Sequence, residues 1–174
     1  MNIEKQLALE HSKPNALLIV NFIGDDQKKF KELLAVFAKG DVRLTQRAAW
    51  PLSIVLEQYP ALAKNHVPFF VSLLDIQLHV AVKRNVLRLL QTIPIPESEL
   101  GTLADKCFQY LHDRHEPIAV KAFAMTVLYK ICLLEPELKN EVIPTIEDML
   151  PFASGGIVAR GKKVLAQLAK IKVQ

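Results

Sequence analysis

The chain has 174 residues, of which 51% are hydrophobic and 23% charged, a composition that excludes a disordered protein. The formal net charge of +4 permits an acidic partner without requiring one. Two cysteines are too few for a disulfide framework, and no apolar run approaches the ~20 residues of a bilayer span. We therefore expect a cytoplasmic protein that does not enter a membrane, with Cys107 and Cys132 as reduced thiols in the core.

Apolar residues recur at steps of three and four along most of the chain, which predicts amphipathic helices and no strands. A break is expected at Gly40, because glycine commonly ends a helix. Breaks are also expected at Pro60, Pro96, Pro117 and Pro136, because proline is tolerated in the first turn of a helix and kinks or breaks the helix beyond that turn. In chain order, we predict helices over residues 2–10, 15–23, 27–39, 42–58, 61–74, 77–92, 97–112, 117–134, 137–150 and 156–171. Three prolines fall inside these helices and are expected to kink them: Pro51, Pro68 and Pro144.

A basic residue at the start of an apolar helical stretch recurs at a nearly constant interval. The four positions are Arg47, Lys83, Lys121 and Arg160, and the intervals between them are 36, 38 and 39 residues. A period of this length is the sequence signature of a helical solenoid, in which stacked helix pairs bury the apolar faces that one pair leaves open.

The residues around these positions resemble the HEAT and armadillo repeat class over residues 27–172. HEAT repeats tend to carry a proline in the first helix, a Leu-Leu pair, an acidic residue or Asn, and then Val-Arg before the second helix. Two stretches follow this order well, Pro68 to Lys83 and Pro144 to Arg160, and two follow it in part, Asp41 to Arg47 and Val120-Lys121.

This resemblance implies a fold and a domain organisation. The expected fold is all-α, an α-α superhelix in the form of a right-handed solenoid. It would contain about four HEAT-like helix pairs, behind an N-terminal capping pair, in a single domain over residues 1–174. The expected segments are the cap at 1–23 and the pairs at 27–58, 61–92, 97–134 and 137–172.

Positive charge is concentrated in the second helix of each predicted pair. These helices contain twelve basic residues and one acidic residue, Glu57, whereas the first helices contain seven basic and eight acidic residues. In the families that the chain resembles, the second helices line the concave surface, so the resemblance implies a basic binding face. The candidate partner-binding residues are Arg47, Lys83, Arg84, Arg88, Lys121, Arg160 and Lys163.

A structural role for the recurring basic residues stays open. Such residues often pair with acidic residues in the loop between two helices, as Asp41 or Asp75 would allow here. Cations on surface helices are also commonly just solvated.

The leading functional hypothesis is a non-enzymatic protein–protein interaction module, or scaffold, that binds an acidic or extended partner. The alternative is nucleic-acid binding through the basic face, related to the HEAT-like alkylpurine DNA glycosylases of bacteria. Those enzymes use tryptophans and an aspartate on the concave face. Here Trp50 is the one tryptophan, and its helical setting predicts a core position, so no catalytic residue is carried over.

No other pattern indicates catalysis, a cofactor or a metal. The segment from His112 to Glu116 holds two histidines near Cys107, but its spacing is not that of a zinc site, and it is expected to be a solvated helix end. The sequence contains no glycine-rich phosphate loop and no nucleophile elbow.

Overall fold

The computed structural model describes residues 1–39, 41–63, 65–75 and 80–172. In these ranges the chain forms ten α-helices, three short 3-10 helices and no strand, so the predicted all-α fold is confirmed. The predicted break at Gly40 and the predicted helix start at residue 77 lie outside the described residues. The helices are α1 (Ile3–Leu9), α2 (Lys13–Ile23), α3 (Gln27–Ala38), α4 (Val42–Gln58), α5 (Val67–Ser72), α6 (Val80–Leu90), α7 (Glu97–His112), α8 (Ile118–Cys132), α9 (Lys139–Met149) and α10 (Gly155–Leu168).

The first four helices each begin at a side chain that accepts a hydrogen bond from a backbone N–H of the first turn. Asn2, Ser12, Asp26 and Asp41 have this role, with distances of 2.7 to 3.2 Å. In Asp26, the N–H groups of the first turn hold the pKa of the carboxyl below its ordinary value. Gly24 ends α2 with φ of 53°, a conformation that side-chain-bearing residues rarely adopt.

One predicted helix is wrong in extent. The helix expected over residues 61–74 is replaced by a 3-10 helix at Pro60–Leu62 and by α5, which begins only at Val67. Pro68 is therefore in the first turn of α5, where no hydrogen bond to its backbone nitrogen is needed. It does not lie in the interior of a helix and does not kink one there, as the sequence had predicted. Pro51 and Pro144 do lie inside helices, α4 and α9.

The chain divides into two compact units, residues 1–94 and 95–174, called unit 1 and unit 2. The single domain expected over residues 1–174 stays a prediction. In unit 1, α4 packs against α1, α2, α3 and α6. The largest fully buried side chains there are aromatic: Phe30, Phe37 and Phe70.

Two buried polar residues of unit 1 join its helices by hydrogen bonds. The Nδ2 atom of Asn15, at the start of α2, donates to the carbonyl oxygens of Gln6 and Glu10 at 3.0 and 2.9 Å. Its Oδ1 atom accepts from Nε2 of Gln6 at 2.6 Å. Thr45 in α4 donates from Oγ1 to the carbonyl oxygen of Phe37 at 2.9 Å. Burial of these groups is tolerated because each has a partner.

In unit 2, α8 packs against α7, α9 and α10. The sequence of α8 is apolar on nearly every side, as expected for a helix with neighbours in several directions. Gly161 lets α10 approach α9 closely. A Cβ atom at this position would lie 2.6 Å from Cδ2 of Leu150 and 3.2 Å from Cγ2 of Ile146.

No helix within the described ranges combines the length and the apolar character that a bilayer span requires.

Candidate functional site

Two of the seven candidate residues, Arg47 and Arg160, hold neighbouring helices in place. The guanidinium of Arg47 in α4 donates from Nη1 to the carbonyl oxygens of Leu7 and Ala8, both at 2.8 Å. These carbonyls are at the end of α1, where no intrahelical donor reaches them. In unit 2, Nη1 of Arg160 in α10 donates to Oγ1 of Thr126 in α8 at 3.1 Å. The geometry at both residues agrees with the structural role that the sequence left open, although the partners are not acidic.

Arg84 and Arg88 line one cavity of unit 1, at the contact between α4 and α6. They are four residues apart on α6, and Gln46 and Trp50 are four residues apart on α4, so each pair projects from one face of its helix. The cavity has a volume of about 300 Å³, and no carboxylate is among its lining residues. The remaining lining residues are His11, Ala49 and Asn85.

Trp50 lies in the wall of this cavity, so the expectation that it belongs to the core is only half right. Its ring is half-buried. The imidazole of His11 meets it edge to face, with 5.3 Å between ring centroids and 63° between ring planes. Helical spacing predicted the apolar side of α4, but Trp50 is at the border of that side and faces the opening beside α6.

Asn85 is the buried polar residue of the cavity. Its side chain is 4% exposed, and its Nδ2 atom has no hydrogen-bond partner in the part of the chain that the structure describes. Leaving a buried amide donor unpaired costs about 1–3 kcal/mol. Asn85 follows Arg84 directly in α6 and lines the same cavity, so two unused N–H donors are buried next to it.

The cations of unit 2 are in a different setting. Lys121 at the start of α8 lines a cavity of about 920 Å³ together with the carboxylates of Glu116, Glu141 and Asp148, so this cavity has mixed charge. Lys163 is exposed on α10. Neither residue lines the cavity between α4 and α6, which has no carboxylate in its wall.

The structure thus brings together two of the seven candidate residues, Arg84 and Arg88. Lys83 precedes them in α6 and is half-buried. His11, Gln46 and Asn85, which also line the cavity, were not among the residues predicted from the sequence. The spacing of four residues places Gln46 and Trp50 on one face of α4. Spacing within one helix does not show that α4 packs beside α6, because that contact depends on the tertiary fold.

Among the described residues, no group of three or more His, Cys, Asp and Glu side chains is placed to hold a metal ion. His112 ends α7, and the N–H of His115 donates to Oδ1 of Asp113 at 2.8 Å in the following turn. Cys107 and Cys132 are buried and are not bonded to each other. Burial raises the pKa of Cys132 to about 11 and that of Cys107 further, so both are protonated thiols near pH 7.

Lys130 in α8 predicts a pH dependence of stability. Burial lowers its pKa from 10.5 to about 8, so the unfolded chain binds this proton more tightly than the folded chain. The resulting penalty is present below pH 8 and disappears as the pH rises from about 8 to 10.5. We expect Lys130→Met to raise the free energy of unfolding at pH 7 by about 1 kcal/mol, allowing for the ammonium's partial exposure to solvent.

Urea denaturation at pH 7 and pH 10 measures this effect, and the gain from Lys130→Met should shrink at the higher pH. Lys162→Met, at an exposed position of α10, is the matched control and should show no such trend. A gain that is the same at both pH values would contradict the assigned cause.

Comparison with known proteins gives one match. A family model described as a HEAT repeat domain matches residues 3–168, from the first residue of α1 to the last residue of α10. No curated protein and no solved structure matches the chain.

Proposed function

Because the chain belongs to the HEAT repeat family, we propose that it is a non-enzymatic module that binds an acidic, extended segment of a protein partner along its second helices. HEAT repeats generally mediate contacts between proteins, and the family is typically one of scaffolds. We also propose that the protein is cytoplasmic, which the two buried, protonated thiols support.

The observation that carries the proposal is the cationic cavity between α4 and α6, two second helices, which no carboxylate lines. Further positive charge is exposed on another second helix, α10, at Lys162 and Lys163. In each unit, an acidic segment would meet cations on second helices that contain few acidic residues, and this complementarity favours specificity and rapid association.

A charge-reversal pair tests the proposal. The first variant combines Arg88→Glu, Lys162→Glu and Lys163→Glu, all at exposed positions of second helices. The matched control makes the same change of charge at exposed positions of α1 and α3, with Lys5→Glu, Lys28→Glu and Lys31→Glu. The ligand is a fluorescent polyglutamate peptide, followed by anisotropy.

We expect the second-helix variant to bind the peptide about tenfold or more weakly than the parent chain, and the control to bind within about threefold of it. Binding should also weaken as salt is added. Equal losses in both variants would mean that only net charge matters, and the proposed surface would then be abandoned.

Nucleic-acid binding is the second candidate function, favoured by the half-buried ring of Trp50 beside Arg84 and Arg88, since bases stack on aromatic side chains. Single-stranded DNA and generic duplex DNA are therefore included in the same assay. If either binds more tightly than polyglutamate, with a steep loss of affinity as salt rises, the partner is a nucleic acid and not a protein.

A further inference from the structure

We propose that the cavity between α4 and α6 is an anchor pocket for a single carboxylate side chain, glutamate or aspartate, of the acidic segment. This inference rests on the proposed function and makes it specific, because it assigns the ligand group and the residues that hold it. Arg84 and Arg88 supply the charge, Gln46 and Asn85 supply amide donors, and Trp50 supplies an apolar wall.

The cations of the pocket are available to a ligand. In the described part of the chain, neither Arg84 nor Arg88 has a carboxylate within salt-bridge distance, and the ion pairs Lys29–Asp26 and Lys39–Glu4 lie elsewhere in unit 1. A guanidinium offers a planar fork of N–H donors that matches the two oxygens of a carboxylate. Arg84 is half-buried, so its interaction with a bound carboxylate would be screened by solvent less than that of a fully exposed pair.

Asn85 is the second, independent sign of a ligand. A residue 4% exposed with an unpaired amide nitrogen is disfavoured unless something bonds to it in the functional state. Asn85 lines the pocket together with Arg84 and Arg88, and its buried nitrogen would bond to an entering acceptor group once the amide turns toward the cavity. In contrast, Asn15, another buried amide of unit 1, donates from Nδ2 to two backbone carbonyl oxygens.

The shape of the site favours a single anionic group over the phosphate row of a nucleic acid. A backbone of regularly spaced phosphates calls for a row of exposed cations. Here the two available arginines converge on one cavity of about 300 Å³. Of the two cations of α4, Arg47 is bonded to the end of α1 and Arg43 does not line the cavity. The half-buried ring of Trp50 and the methyl of Ala49 would cover the methylene groups of a glutamate side chain.

The fluorescence of Trp50 tests the pocket directly, because it is the only tryptophan of the chain. The probes are capped hexaglutamate, its neutral isostere capped hexaglutamine, inorganic phosphate, and a single-stranded oligonucleotide. We expect a saturable change in Trp50 emission with hexaglutamate and none with hexaglutamine. Arg88→Gln should weaken the effect of hexaglutamate about tenfold or more, since it removes a charge-assisted contact at an exposed position.

Arg84→Gln and Asn85→Leu should weaken it as well, with circular dichroism as a check that both variants fold. Asn85→Leu tests the amide donor by itself, because leucine fills nearly the same space, cannot donate a hydrogen bond and leaves the charge of the pocket unchanged. Lys163→Gln removes a cation of α10, outside unit 1, and should leave the emission response intact.

The outcomes separate the pocket from the broader proposal. If hexaglutamate binds in the anisotropy assay but Trp50 does not respond and Arg88→Gln has no effect, the pocket is wrong and the second-helix surface stands. If hexaglutamate does not bind at all, both are wrong. A tighter response to phosphate or to the oligonucleotide than to hexaglutamate would overturn the carboxylate assignment.

Discussion

Replacing Gly161 with valine is expected to lower the free energy of unfolding of unit 2 by about 3 kcal/mol, because extra carbon atoms have no room there. The added Cβ atom would meet Cδ2 of Leu150 at 2.6 Å and Cγ2 of Ile146 at 3.2 Å. The side chain of Leu150 can turn away from one methyl group, but valine adds two further carbons at the contact between α10 and α9. Urea denaturation followed by circular dichroism measures the loss.

Gly101 in α7 is the matched control for this substitution. It is also a helical glycine of unit 2, but a Cβ atom there would have no neighbour within 4 Å. Gly101→Val should change stability by less than about 0.5 kcal/mol, since valine has a somewhat better helix propensity than glycine and nothing opposes it. Equal destabilisation by the two variants would show that the close approach of α10 to α9 is not the cause.

Replacing Asn15 with leucine is expected to destabilise unit 1 by about 3 kcal/mol, because three hydrogen bonds are lost in a buried setting. The carbonyl oxygens of Gln6 and Glu10 would lose their donor, and Nε2 of Gln6 would lose its acceptor. Leucine has nearly the same size but neither donates nor accepts. The loss can be followed in urea through the emission of Trp50, which lies in unit 1.

Asn21 in the same helix is exposed and provides the control. Asn21→Leu should leave the free energy of unfolding within about 0.5 kcal/mol of that of the parent chain. If Asn15→Leu proved as mild as this control, the link that Asn15 makes between α1 and α2 would not contribute to stability.

The ten helices could be predicted from the sequence because each depends on signals within a few residues, such as apolar spacing and prolines. The match over residues 3–168 confirms the resemblance to HEAT repeats on which the repeat assignment was based. The error at residues 61–74 arose because a proline inside an apolar run and a proline in the first turn of a shorter helix give the same local pattern. Pro68 has the second role.

The candidate site was predictable only in part, because its residues come from three separate stretches of chain. Counting charges found Arg84 and Arg88 but could not separate them from Arg47, which bonds to carbonyl oxygens 40 and 39 residues earlier in the sequence. Asn85 has no signature in the sequence at all. Asn85 stands out only in the folded chain, because its Nδ2 atom is buried there without a hydrogen-bond partner among the described residues.

The bonds of Arg47 also have a consequence for the order in which the protein forms. With seven residues, α1 is far too short to persist as a helix in water by itself, and its last carbonyl oxygens are bonded by a side chain of α4. The helical structure of residues 3–9 therefore depends on residues that follow them in the chain, those of α2 through Asn15 and those of α4 through Arg47.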